Sequence, residues 1–223
     1  MVDTAARETT KTAHKPRFRE AAASISVIGV GGGGCNAVMR MMKETPVPGV
    51  KYVCVNTDIK SLERVGDSAQ VIHIGDKVTH GLGAGGNPDV GAQAADSGRE
   101  GLRRAITGSD LVFLTAGMGG GTGTGAAPVV AELAKKTGAL VVAVVSTPFS
   151  FEGGRRLETA MAGVGRLKEH VDNLIVIHND RLLNLFRKEV PMQEALRMAD
   201  EAVMLGVLSV AELINVPGDI NVD

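Results

Sequence analysis

Along residues 24–190, short apolar runs alternate with stretches in which apolar residues recur every three or four positions. The runs Ser26 to Val30, Tyr52 to Val55, Val71 to Ile74, Leu111 to Thr115, Leu140 to Val145 and Leu174 to Ile177 predict strands. Several are apolar without alternation, the pattern of parallel strands covered on both faces. Helical spacing falls near Asn36 to Met42, Ala92 to Ile106, Ala126 to Lys136 and Gly154 to His170. This order predicts an α/β fold: a doubly wound, mainly parallel sheet with helices on both faces, Rossmann-like, binding its ligands at the carboxyl ends of the strands.

The pattern changes beyond residue 190. From Pro191, suited to a first helical turn, Leu196, Ala199, Val203, Val207, Val210 and Leu213 recur at steps of three and four. They predict one amphipathic helix over 191–215 of roughly 22 residues, about 33 Å long at 1.5 Å per residue. No strand follows, and 216–223 read as a loop, so more protein is expected downstream. At the other end, 1–23 mix charged and small residues without periodicity and read as a disordered tail.

Composition narrows the partners. With 24 Lys+Arg against 25 Asp+Glu, the formal charge of -1 offers no global basic field for nucleic acid or an anionic membrane. No apolar run approaches the ~20 residues of a membrane span, so no direct membrane insertion is expected. Cys35 and Cys54, far apart in sequence, suggest neither a disulfide framework nor a zinc site; they read as buried small hydrophobes of a cytoplasmic protein.

Glycine carries the candidate chemistry. In "VIGVGGGGCNAV", Gly29, Gly31 and Gly34 match G-x-G-x-x-G after a strand, and Asp58 follows the second strand where a ribose-binding acid of a dinucleotide fold would lie. That leaves open a nicotinamide-dependent oxidoreductase, or a turn that merely packs helix on sheet. A second unit, "LVFLTAGMGGGTGTGAAPVVAELAKK", again runs strand, glycine loop, helix. Free N–H groups and the helix dipole there suit phosphate without a lysine, and Thr122 and Thr124 add hydroxyls. One such loop serves a pyrophosphate; two imply a longer phosphate chain. The ordinary P-loop G-x-x-x-x-G-K-[ST] is absent.

GGGTGTG at Gly119 to Gly125 resembles the signature of the tubulin/FtsZ family, with threonine at Thr124 as in its FtsZ branch. The resemblance runs in order from about Ser24: GVGGGGCNA, NTD at Asn56 to Asp58, GLGAGGNP at Gly81 to Pro88, GMGGGTGTGAAP, TPFSFEG at Thr147 to Gly153, Asn179–Asp180, Ala199–Asp200 and NVD at Asn221 to Asp223.

The resemblance implies a guanine-nucleotide site for GTP or GDP, with Mg2+ carried on the phosphates rather than by protein ligands. Gly31, Gly32, Gly33, Gly34 and Asn36 of the first loop, with Gly119, Gly120, Gly121, Thr122, Gly123, Thr124 and Gly125 of the second, would wrap the nucleotide. Ala84, Gly85, Gly86 and Asn87 would sense the terminal phosphate, and Asp58 would link the site to magnesium and water. Pro148, Glu152 and Arg156 would flank ribose and phosphates. Asn179 and Asp200 would read the base, the carboxylate accepting guanine's two donors and the amide serving its oxygen. Two positions depart from the family's usual pattern: His178 stands where proline often precedes Asn-Asp, and Leu196 where an aromatic often covers the base.

Proteins of this family hydrolyse GTP where one subunit stacks on the next, with acids of the neighbour polarising the water. Asn221 and Asp223 match the start of that catalytic motif. The resemblance therefore implies a head-to-tail filament of like subunits, division-site protein partners and bacterial cell division. Hydrolysis by this chain alone is expected to be poor, and a non-catalytic regulator of such filaments is the other reading. Gly121→Val is expected to abolish nucleotide binding and leave the sheet folded.

Overall fold

In a computed structural model, which describes residues 23–184 and 190–215, the chain alternates strands and helices as the pattern requires. In order these are β1 Ile25–Val30, α1 Gly31–Glu44, β2 Lys51–Asn56, α2 Ile59–Glu63, β3 Gln70–His73, α3 Asp76–Thr79, α4 Pro88–Ser97, α5 Arg99–Ile106, β4 Leu111–Gly117, α6 Thr122–Lys136, β5 Leu140–Thr147, α7 Gly154–Lys168, β6 Asn173–His178, α8 Asn179–Leu183 and α9 Met192–Asn215. A single 3-10 turn, Ser150–Glu152, precedes α7. Asn221 and Asp223, and the tail up to residue 22, lie outside the described residues.

The six strands form one parallel sheet in the order β3-β2-β1-β4-β5-β6. Successive side chains alternate between its faces. Val27, Phe113 and Val144 pack against Val38 and Met41 of α1 and Val203, Val207 and Leu208 of α9. Their neighbours Ile28, Leu114 and Val145 pack on the other face with Leu102 of α5, Val130 of α6 and Leu167 of α7. Both faces of each central strand are therefore apolar, which explains the unbroken runs in the sequence.

Helix boundaries depart from the periodicity at glycines. α1 opens at Gly31, five residues before the expected Asn36, so the first glycine loop is itself the first turn of the helix. The expected Ala92 to Ile106 helix is two helices, α4 and α5, meeting at Gly98. A β-carbon at Gly98 would come within 2.9 Å of Ile74 Cγ2, so this corner packs directly on the end of β3. α4 reaches back to Pro88, capped by Asn87, whose Oδ1 accepts from Asp89 N at 2.9 Å. α2, α3 and α8 span five residues or fewer, too short to show a helical period. α9 runs for 24 residues.

The fold also brings the two cysteines together. Both are buried and unbridged. The Cys54 side chain and burial hold the Cys35 thiol well above its usual range, so it behaves as the small hydrophobe the composition suggests.

Candidate nucleotide site

The strand order reverses direction between β1 and β4, and at such a switch point the carboxyl edge of a parallel sheet leaves a crevice. α1 and α6 begin there, each without an acidic residue in its first turn, so two positive helix ends face the crevice unneutralised. Glycine lets the two turns meet. A β-carbon at Gly33 would lie 3.2 Å from Gly117 Cα, and one at Gly31, where φ is 73°, would lie 2.7 Å from Gly123 N.

A cleft of about 300 Å³ opens over these turns. Gly32, Gly33, Gly120, Gly121, Thr122 and Gly123 line its floor. A β-carbon at Gly32 would meet nothing within 4 Å, so the backbone there faces open space. Thr122 Oγ1 lies 2.7 Å from Thr57 Oγ1, which tethers the second turn to the loop after β2.

One wall is built by the chain after β5. Pro148, Glu152 and Arg156 line it. Glu152 is fully engaged: Oε1 accepts from Phe149 N at 2.9 Å and Oε2 from Arg156 Nη1 at 2.6 Å. Its carboxylate shapes the turn and holds the guanidinium at the rim.

The far end is formed by β6 and α9. Asn179, 5% exposed, opens α8 directly after β6, and its Oδ1 has no partner among the described residues. A buried amide left unpaired is costly, so this atom points to a polar ligand. Asp200 lines the same end, beside Ala199 and Leu196. Burial pushes its carboxyl up to about 6, against a smaller pull downward from Arg40 on α1. An amide and an acceptor carboxylate thus stand together with an apolar side chain, Leu196, which is 42% exposed.

Eleven of the expected residues line the cleft: Gly32, Gly33, Gly120, Gly121, Thr122, Gly123, Pro148, Glu152, Arg156, Asn179 and Asp200. Others are placed elsewhere. Thr124, expected to offer its hydroxyl, is 0% exposed and accepts from Gly119 N at 2.8 Å, so it holds the loop from beneath. Gly31, Gly34 and Gly125 serve close packing. A β-carbon at Gly34 would strike Thr115 O, and one at Gly125 would strike Pro88 O and lie 2.7 Å from Ala92 N. Gly119, at φ 99°, turns the chain against Pro148 and Arg156 O.

Asn36 is exposed on α1 outside the cleft. Asp58 caps α2, Oδ1 accepting from Lys60 N at 3.0 Å and Oδ2 from Ser61 Oγ at 2.6 Å. The Ser61 hydroxyl holds its carboxyl below the usual range. It lines no part of the cleft, and with both carboxylate oxygens engaged at the start of α2 it is not placed as a ribose-binding acid. Ala84, Gly85, Gly86 and Asn87 do not line it either; their loop packs behind Gly121, whose added β-carbon would meet Ala84 Cβ at 2.8 Å and Asn87 N at 2.9 Å.

Gly117, Met118, Ser146, Thr147 and Ala199 line the cleft without having been expected to. Gly117, Ser146 and Thr147 end β4 and β5, and the rule that ligands meet strand carboxyl ends could have found them. Thr147 Oγ1 lies 3.4 Å from His178 Nδ1, so the departure at His178 ties β6 to β5. Among the described residues no cluster of three or more His, Cys, Asp or Glu could hold a metal ion, and no helix is long and apolar enough to cross a membrane.

The strand order by itself also suits a dinucleotide enzyme, and comparison with known proteins separates the two. A family model described as tubulin/FtsZ family, GTPase domain, matches residues 24–187. An FtsZ from M. jannaschii, solved as an empty dimer, superposes with a TM-score of 0.86 at 47% identity, covering 92% of this chain and 59% of that one. A point mutant of FtsZ from the same organism gives 0.85 at 48% identity, covering 90% and 60%. CetZ2 from Haloferax volcanii, solved as a GTPγS-bound protofilament, gives 0.73 at 26% identity, covering 88% and 60%. The present chain therefore spans 59% to 60% of the length of these relatives. With most of its length matched by the GTPase-domain model and nearly half its aligned positions identical to an FtsZ, the chain belongs to the tubulin/FtsZ family.

Proposed function

We propose that the cleft binds GTP and GDP and that the chain is the nucleotide-binding part of a GTPase that assembles head to tail into filaments. The observation that carries this reading is the shape of one cleft: two bare helix ends at its floor and, at its far end, the Asn179 amide, whose oxygen has no partner among the described residues, beside the Asp200 carboxylate. Helix N-termini attract phosphate, while guanine's two adjacent donors and one acceptor suit a carboxylate and an amide. Mg2+, which would neutralise phosphate charge, is in this reading carried on the nucleotide.

Hydrolysis needs a group to polarise water beside the terminal phosphate. Of the acids lining the cleft, Glu152 is committed to Arg156 and Phe149 N, and Asp200 stands at the base end. In this reading the described residues supply binding and orientation, and the family resemblance assigns the water-activating acid to a neighbouring subunit. Asn221 and Asp223 are the residues the resemblance points to. A nucleotide face that meets a different face of the next subunit is a heterologous contact, which repeats into an open filament. Participation in cell division, division-site partners and a cytoplasmic location belong to the same proposal and are supported by the family resemblance alone.

Calorimetric titration of the purified chain with GDP, ADP and NAD tests the reading. Saturable binding of GDP, with ADP and NAD at least about a hundredfold weaker, is expected, since a site built to pair with a base edge rejects one that leaves its buried groups unpaired. Absence of GDP binding, or preference for NAD, overturns it.

A further inference from the structure

Beneath the cleft floor lies a hydroxyl that the site described above does not use. Thr57, just after β2, is 0% exposed and lines no part of the cleft. Its backbone is fixed from several elements: Thr57 N donates to Asn56 Oδ1 at 2.8 Å, and Thr57 O accepts from Gly83 N at 3.2 Å, His73 Nε2 at 3.3 Å and Thr79 Oγ1 at 3.3 Å. Its side chain points the other way, toward the site. Thr57 Oγ1 lies 2.7 Å from Oγ1 of Thr122, the first residue of α6 and part of the cleft floor. Among the described residues neither hydroxyl has a second partner.

Each hydroxyl carries one proton and two lone pairs, so the direction of this bond decides what Thr122 can offer a ligand. Thr57 is sealed from solvent, and a buried donor left without an acceptor is costly. Its proton therefore goes to Thr122 Oγ1, and the Thr122 proton is left for the cleft. The opposite direction would strand the Thr57 proton and turn only lone pairs toward the ligand. Resting on the nucleotide reading above, we propose that Thr57 is a positioning residue: it never meets the nucleotide, but by donating to Thr122 it holds that hydroxyl as a donor to a phosphate oxygen. A donor there adds to the free N–H groups of the first turn of α6. The β-branched Thr57 side chain is stiff at χ1, so with its backbone fixed the hydroxyl keeps one direction.

A double-mutant cycle tests this, read as calorimetric GDP affinity of the full chain in Mg2+ and again in EDTA. Thr57→Val keeps the shape and removes the hydroxyl, and affinity should fall about five- to tenfold, part of the worth of a hydrogen bond to a charged group. Thr122→Val should lose at least as much. The double variant should bind no more weakly than Thr122→Val, because the two residues act through one hydroxyl. Thr57→Ser, which keeps the donor, should stay within about twofold of the unaltered chain. The losses should be the same in EDTA, since Thr122 serves the phosphate and not the ion. Should Thr57→Val fail to fold, Thr57→Ala, which cannot crowd the site, takes its place in the cycle. Losses that multiply in the double variant would mean that Thr57 acts on the fold and not through Thr122, and they overturn the inference. So does a serine variant as weak as the valine one, or a loss confined to Mg2+, which would make Thr122 an acceptor toward the ion. Absence of GDP binding by the unaltered chain takes down the nucleotide reading and this inference with it, whereas GDP bound with multiplying losses overturns the inference alone.

Discussion

Gly32 and Gly121 both line the cleft, yet a β-carbon at Gly32 meets nothing within 4 Å while one at Gly121 comes within 2.8 Å of Ala84 Cβ. Gly32→Val should therefore fill ligand space without straining the fold. GDP affinity is expected to fall at least about a hundredfold with the melting temperature unchanged to within about 2 °C, as surface substitutions away from packed features usually are. Gly121→Val cannot act so cleanly. It must displace the loop at Ala84 to Asn87, costing about 1–3 kcal/mol as overpacking does, so calorimetry and thermal melting should both report a loss. The sequence reading expected only the first effect. Asp200 offers a second residue-scale test, in stability. Its folded carboxyl is raised above the ordinary value of 3.8, so it favours folding below pH 4 and that contribution is lost as pH rises through about 6. Without nucleotide, Asp200→Asn should melt higher than the unaltered chain at pH 7.5, with the gain vanishing towards pH 4.

Among the elements, α4 and α6 are joined most intimately, because Gly91 and Gly125 let their backbones touch. Added β-carbons would strike Gly121 O in the first case and Pro88 O in the second. Gly125→Ala removes no hydrogen bond and suits a helix interior, yet the obstacle is backbone that cannot rotate away. It should destabilise the fold by about 3 kcal/mol in urea titration. A gain in stability, as intrinsic helix propensity alone would give, would show that the two helices separate at little cost. Asn87→Ala, which removes only the cap of α4, should cost about 1 kcal/mol. Glycine in these runs thus has two occupations: Gly32 and Gly120 expose backbone to the cleft, while Gly34 and Gly125 bring elements together. Both leave the same mark in sequence, which is why the motif could not separate ligand positions from packing positions.

For the whole molecule, the proposal that a neighbour supplies the water-activating acid would make hydrolysis a property of association. On that proposal, GTP turnover per subunit, measured on the chain extended to the length of its FtsZ relatives, should rise with protein concentration and collapse on dilution. A rate per subunit that is constant over about a hundredfold range of concentration would place the catalytic acid within one chain. Among the described residues, exposed ion pairs such as those of Arg99 with Asp96 and Glu132 neutralise one another locally.

Much of this was legible before any coordinates. Six strands, a long helix beyond residue 190, the two units of strand, glycine loop and helix, and the family itself all stand in the linear sequence, because unbroken apolar runs mark strands buried on both faces and spacings of three to four mark helices. Glycine runs persist wherever backbone must come close to something. What lay beyond the sequence is which something. Only the tertiary structure decided that Thr124 and Asp58 are tied into the scaffold, that Gly121 leans on the Ala84 loop, and that Asn179 and Asp200, on separate elements, close one end of the cleft. The physical reason is that these roles depend on contacts between residues distant along the chain. A hydroxyl or carboxylate is free for a ligand only if no partner from another element has reached it first.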